Sequence, residues 1–163
     1  MKDITLINFT KLSLSNKKMV RLWRNDNNVK KWMYTNTDIS LQNHLSYIEL
    51  LKKTKEKLYF LVKQKNNFLG VIYFLDINKQ STKFGLYSNP ELSGVGKILL
   101  EAICNYAFKI LKIKILKAEV FIDNIKAIKL YKKFNFIETN RKVIVNNEVL
   151  CMELKIEDES KSY

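Results

Sequence analysis

Apolar and polar positions alternate with a period of two over Ile4–Phe9, so the chain opens on a strand. Over Lys17–Trp23 (KKMVRLW) the period lengthens to that of an amphipathic helix, which ends at Arg24-Asn25-Asp26. Asn25 to Asn28 form a polar break. Ser40 then caps a second helix over Leu41–Lys53, with Leu41, Leu45 and Ile48 on one stripe and Leu51 closing it. The period returns to two in Lys57–Gln64 and Phe68–Asp76, which flank a turn at Asn66-Asn67, and in Ser81–Ser88 after the turn Asn78-Lys79-Gln80. Pro90 stops that third strand. A long helix over Gly94–Lys109, a strand over Ile113–Phe121 and a short helix over Asn124–Lys133 follow. Phe136–Val145 and Glu148–Lys155 close the chain as a hairpin over Asn146-Asn147. The order β, α, α, β, β, β, α, β, α, β, β predicts an α+β fold with a mixed central sheet, an antiparallel meander and flanking helices. One domain is expected over residues 1–155, followed by a frayed polar tail over 156–163.

Composition narrows the classes. With 163 residues there is room for one core, and 47% hydrophobic content is enough to fill it. The formal charge is 29 − 16 = +13. That sign invites an anionic partner. The lysines are nevertheless scattered, with no basic block interleaved with aromatics and no helix-turn-helix, zinc or RNP pattern. A nucleic-acid-binding module is therefore the distant alternative, and only a local basic pocket is expected to matter. Two separated cysteines and a single histidine supply neither a disulfide framework nor a metal-ligand set. No stretch reaches the ~20 apolar residues of a spanning helix. MKDITLINFT lacks the long apolar core of a secretion signal. A cytoplasmic chain with no membrane partner is the expectation.

The chemistry-bearing segment is KFGLYSNPELSGVGKILLEAI, Lys83 to Ile103, where a strand meets Pro90, then Gly94-Val95-Gly96, then a helix. Glycines there let a ligand approach the backbone, and the free first N–H groups of the helix point outward beside its positive dipole end. A pyrophosphate suits such a place. The spacing is not that of a Walker A loop, and the preceding meander is not Rossmann-like.

This segment resembles the cofactor loop of the GNAT acyltransferases, [RQ]-x-x-G-x-[GA], with Glu91 standing where that family has Arg or Gln. Leu116–Phe136 (LKAEVFIDNIKAIKLYKKFNF) is similar to a second GNAT pattern, a strand followed by N-x-x-A-x-x-L-Y-x-K-x-G-F, with Asn135 in place of the Gly. The resemblance implies acetyl-CoA as co-substrate, no metal, and a cofactor site made by Leu86, Tyr87, Ser93, Gly94, Val95, Gly96, Lys97, Asn124, Ala127 and Tyr131. It makes Tyr131 the general acid that protonates the leaving thiolate, although the same position on an amphipathic helix also suits a core aromatic. Two residues stay open as the base: Glu119, on a strand, and His44, the only histidine, which is also read as a substrate contact.

The N-terminal third selects the acceptor in this superfamily. Its elements Trp23-Arg24-Asn25, Trp32-Met33-Tyr34 and His44-Leu45-x-Tyr47-Ile48 resemble the acetyltransferases of pseudaminic acid biosynthesis. The implied acceptor is the 4-amino group of a UDP-linked 4-amino-4,6-dideoxy sugar destined for flagellin glycosylation. Arg24 would meet its phosphates, Trp32, Met33 and Tyr34 its 6-deoxy face, and Tyr87 both co-substrates. The alternative is a RimJ/RimL-like protein N-terminal acetyltransferase, which shares the Arg-Asn-Asp and Trp-Met elements. The closing hairpin is a candidate interface for a homodimer.

Overall fold

The computed structural model describes residues 3–156. The alternating segments become β1 (Ile4–Asn8), β2 (Leu58–Gln64), β3 (Asn67–Leu75), β4 (Ser81–Ser88), β5 (Ile115–Phe121), β6 (Ile137–Ile144) and β7 (Asn147–Lys155). They form one sheet in the order β1-β2-β3-β4-β5-β7-β6. β1 to β4 are an antiparallel meander and β5, β7 and β6 an antiparallel extension. The seam between the two halves is parallel.

Period two gives each strand two apolar faces, and helices cover both. The first face carries Phe60, Phe74, Leu116 and Met152 against α4 (Gly96–Asn105) and α5 (Ile125–Lys133). The second carries Leu61, Val71 and Tyr87 against α1 (Leu14–Asn25), α2 (Asn27–Lys30) and α3 (Leu41–Leu51). Helix starts follow their caps: Ser13 and Ser40 accept from Asn16 N and Asn43 N. The Arg24–Asn28 stretch, read as a helix end and polar break, holds one more helix, because the Asp26 side chain accepts from Asn28 N and starts α2 at once.

Three boundaries differ from the pattern. The long helix begins at Gly96, two residues late, because Gly94 adopts φ +74° and turns the chain before helical bonding starts. It then loosens into a π-turn over Tyr106–Ile110, closed by Leu111 N to Tyr106 O at 2.9 Å. The final hairpin turns on Val145 and Asn146, both at positive φ, one residue earlier than expected. Asn135 sits at φ +71°, the left-handed geometry for which the family pattern has glycine. The expected tail falls, except for Ile156, outside the described residues.

The parallel seam places the site. β4 and β5 pair only where Ser81–Lys83 face Ile115–Lys117. Beyond Lys83 and Lys117 the two strands part, leaving the backbone edges of Phe84–Ser88 and Ala118–Phe121 facing a gap. β4 then leads through Gly94 into α4, and β5 leads through Asn124 into α5, so two helix starts flank the mouth of the gap.

Candidate active site

A cavity of about 450 Å³ fills the gap. Ser93, Gly94 and Gly96 line one end of it. α4 has no side-chain cap there, and its first intrahelical bond runs from Leu99 N to Val95 O at 3.1 Å. The preceding amides are therefore left for a ligand, at the positive end of a helix dipole. The approach is kept open because a Cβ on Gly94 would meet nothing within 4 Å and one on Gly96 would touch Leu130 Cδ2 at 3.3 Å. Such an end fits a pyrophosphate, and the unpaired edge of β4 fits an extended amide-bearing chain. These are the parts of coenzyme A, so the residues present suit the expected co-substrate. Leu86, Tyr87, Asn124, Ala127 and Tyr131 also line the cavity. Val95 and Lys97 do not; the Val95 side chain packs on the core, which leaves that position only its amide to offer.

Tyr131 closes the deep end of the cavity. α5 delivers it, after Asn124 caps the helix by accepting from Ala127 N at 3.3 Å. Its ring is held edge-on to Phe84 at 5.5 Å and tilted to Phe136 at 5.7 Å. Burial, with a smaller contribution from Tyr73, pushes its phenol well above the ordinary tyrosine range, so it stays protonated.

Glu119 lines the same cavity from β5. Tyr34 Oη donates to its Oε1 at 2.6 Å, and Lys142 Nζ donates to its Oε2 at 2.7 Å. Lys83 Nζ lies 3.8 Å from Oε2. Burial alone would raise this carboxyl, but the Lys142 and Tyr34 hydrogen bonds and the charges of Lys83 and Lys142 outweigh it and hold Glu119 below the usual range.

Among the expected acceptor contacts, Trp32, Met33 and Tyr87 line the cavity. Tyr34 stands beside it, edge-on to Phe121 at 5.7 Å, with its hydroxyl on Glu119 rather than its face toward a ligand. Arg24, expected to meet the acceptor's phosphates, does not line the cavity. Its Nη2 donates to Thr35 O at 2.6 Å, while Nη1 is buried without a partner among the described residues. Asn25 exchanges two hydrogen bonds with the Ile39 backbone, at 2.8 and 3.0 Å, and Arg21 Nε adds a third at 2.7 Å. The Arg24-Asn25 pair thus fastens the loop over residues 31–40, which carries Trp32, Met33 and Tyr34 to the site.

His44 requires a correction. It is 6% exposed on α3, its Nε2 2.8 Å from Lys17 O, and it is not among the residues lining the cavity. Its ring ties α3 to α1, because a single histidine on the stripe beside Ile48 turns toward the helix it packs on. Burial lowers its pKa from 6.5 despite the Lys17 carbonyl. The unfolded chain therefore takes up a proton before the folded one does, and stability must fall as pH drops below 6.5. We expect denaturant unfolding to show this loss as pH falls below 6.5, and His44→Gln to flatten it; an identical slope in the variant would remove His44 as its cause.

The periodicity gave no warning of Tyr73. It belongs to β3, lines the cavity, stacks on Tyr59 at 4.8 Å and 9°, and lies over Gly85, where a Cβ would overlap its ring. Its hydroxyl reaches Met33 Sδ at 3.9 Å. The signal that could have found it is the glycine directly opposite in the register, Tyr73↔Gly85, a pair visible only once the strands are aligned.

Comparison with known proteins agrees with this geometry. Residues 7–137 match the family described as Acetyltransferase (GNAT) domain. Acetyltransferase PseH of Campylobacter jejuni serotype O:2 is 44% identical over 133 residues, covering 82% of this chain and 84% of that protein. Its counterpart from serotype O:23/36 is 43% identical over the same shares. The crystal structure of Campylobacter jejuni N-acetyltransferase PseH in complex with acetyl coenzyme A superposes with a TM-score of 0.80 at 35% identity, covering 94% of this chain and 99% of that one. A spermidine N-acetyltransferase from Vibrio cholerae, solved with CoA and spermine, has a TM-score of 0.84 at 21% identity and shares the fold. With the uncapped helix, the parted strands and these relatives in agreement, the chain belongs to the GNAT family of acetyl-CoA-dependent N-acetyltransferases.

Proposed function

We propose that the acceptor is the 4-amino group of a UDP-linked 4-amino-4,6-dideoxy sugar on the route to pseudaminic acid. The observation that carries this is the make-up of the cavity wall. Trp32, Met33, Tyr73 and Tyr87 offer an apolar face suited to a deoxy sugar, and Glu119 is the one carboxylate lining the cavity among the described residues. A polyamine acceptor would need several anions, yet the single one here already carries two lysines. The name of the 43–44% identical relatives supports the same assignment.

In this reading the acceptor approaches as an ammonium and is held by Glu119, through which its proton leaves. The freed amine attacks the thioester carbonyl; a C–N bond forms, the C–S bond breaks, and the nitrogen gives up its second proton to solvent. Tyr131 then supplies its phenolic proton to the departing sulfur and recovers one from solvent. An ordinary phenol is a weaker acid than a thiol, about 10 against about 8.5. The transfer still runs because a thiolate released into the same buried space is also destabilised by lost hydration. The reaction belongs to the cytoplasm; among the described residues no helix is long and apolar enough to cross a membrane. A second copy would join through β6, an edge strand whose Ile137 and Val143 are exposed.

The test supplies purified protein and acetyl-CoA with UDP-4-amino-4,6-dideoxy-N-acetyl-β-L-altrosamine, with spermidine, or with a peptide bearing a free N-terminus. Release of free thiol should favour the nucleotide sugar by at least about 100-fold in kcat/KM, a difference of about 2.7 kcal/mol. Equal or faster turnover of the peptide would replace this reading with protein N-terminal acetylation.

A further inference from the structure

Glu119 lies between two spaces. It faces the cavity with Tyr131, and it also lines a separate groove of about 390 Å³ on the other side, with Lys83, Lys117, Asn140 and Cys151. No other titratable residue lines both among the described residues. Its two oxygens are used differently. Oε1 takes the Tyr34 hydroxyl, and Oε2 takes Lys142 at 2.7 Å with Lys83 at 3.8 Å. Lys142 comes from β6, the outermost strand, where it pairs with Val149 on β7, and Cys151 stands opposite Glu119 in the β5–β7 register. The closing hairpin thus reaches back to the reacting centre through one lysine.

We infer that Lys142 is a positioning residue of the acetyl transfer: it fixes the Glu119 carboxylate and keeps it ionised, so that an acceptor ammonium meets an anion on the cavity side while the groove gives the departing proton a path to solvent. This rests on the role given to Glu119 above. Every group facing the carboxylate fits it. Tyr34 has its phenol raised by burial and by Glu119 itself, so it remains a donor and never a competing anion. Lys83 is shared with Asp76, whose Oδ2 it approaches at 3.3 Å, so it cannot replace Lys142 in full. Cys151 has its thiol raised, first by burial and then by Glu119, and stays neutral. Lys142 is raised in turn by Glu119, which keeps the pair charged over the working range.

Removing the cation leaves burial less opposed, and the carboxyl must titrate higher. The experiment is a ¹³C-carboxyl NMR titration of Glu119, assigned by loss of its signal in Glu119→Gln, in the wild type, Lys142→Met and Lys142→Arg, run beside pH profiles of kcat/KM for the acceptor. In Lys142→Met the Glu119 titration and the acid limb of the profile should both move up by about one pH unit, the lower end expected for an exposed partner. The acetyl-CoA KM and Tm should hold, and Lys142→Arg should restore both positions. An unmoved titration in Lys142→Met, or an equal shift in Lys142→Arg, overturns the inference. A Glu119→Gln enzyme with full turnover overturns the role of Glu119 itself, an outcome the titration alone cannot produce, so the two failures are distinguishable.

Discussion

Tyr131→Phe should lower kcat by about 100-fold or more while leaving acetyl-CoA affinity and Tm nearly unchanged, a barrier increase of about 2.7 kcal/mol. The three readouts separate because of how the residue is held. The ring does the packing, against Phe84 and Phe136, and phenylalanine keeps it. The hydroxyl makes no hydrogen bond among the described residues, so its loss leaves no orphaned partner and costs the fold little. What it loses is the proton donor at the deep end of the cavity. Because burial pushes the phenol up, wild-type turnover should show no alkaline loss from this group below about pH 10. Stopped-flow thiol release measures the rate, and equilibrium titration measures the affinity. Unchanged thiol release would take Tyr131 out of the chemistry and return it to the core-aromatic role its helix position also suits.

Gly85→Ala is expected to raise the acceptor KM by at least about tenfold and to destabilise the protein by about 1–3 kcal/mol, the usual range for overpacking. A Cβ at this position would stand 2.6 Å from Tyr73 Cε2 and still closer to Cζ and Oη. The ring has nowhere easy to go. Tyr59 stacks on it at 4.8 Å, and Tyr87 lies 6.4 Å away. Displacing Tyr73 also disturbs Met33, which its hydroxyl touches, and so moves the wall against which the acceptor is proposed to lie. A double-mutant cycle isolates the cause. In a Tyr73→Ala background the added methyl should cost little, because the clash has been removed. The same stability loss in both backgrounds would show that Gly85 matters for backbone reasons instead.

The sequence by itself determined the elements and the donor side of the site. Strand and helix follow from periods of two and about 3.6, which depend on residues two to four apart, and every predicted element exists with ends displaced by a few residues. The glycine turn before α4 and the Asn124–Phe136 pattern were legible for the same reason: each is a local backbone requirement written in consecutive residues, met by Gly94 at φ +74° and Asn135 at φ +71°.

Only the tertiary structure decided which polar groups meet. Tyr34 and Glu119 are 85 residues apart and share a hydrogen bond; Lys142 reaches Glu119 across β7. Tyr73 became part of the wall because the strand register put a glycine under it. His44, a candidate base by residue type alone, was drawn to a carbonyl of the neighbouring helix, and the Arg24-Asn25 pair to the loop it fastens. A side chain's ionisation and partners are set by whatever folding places within about 4–6 Å of it. Periodicity carries no information about that distance, so the chemistry of the acceptor side had to wait for the sheet to assemble.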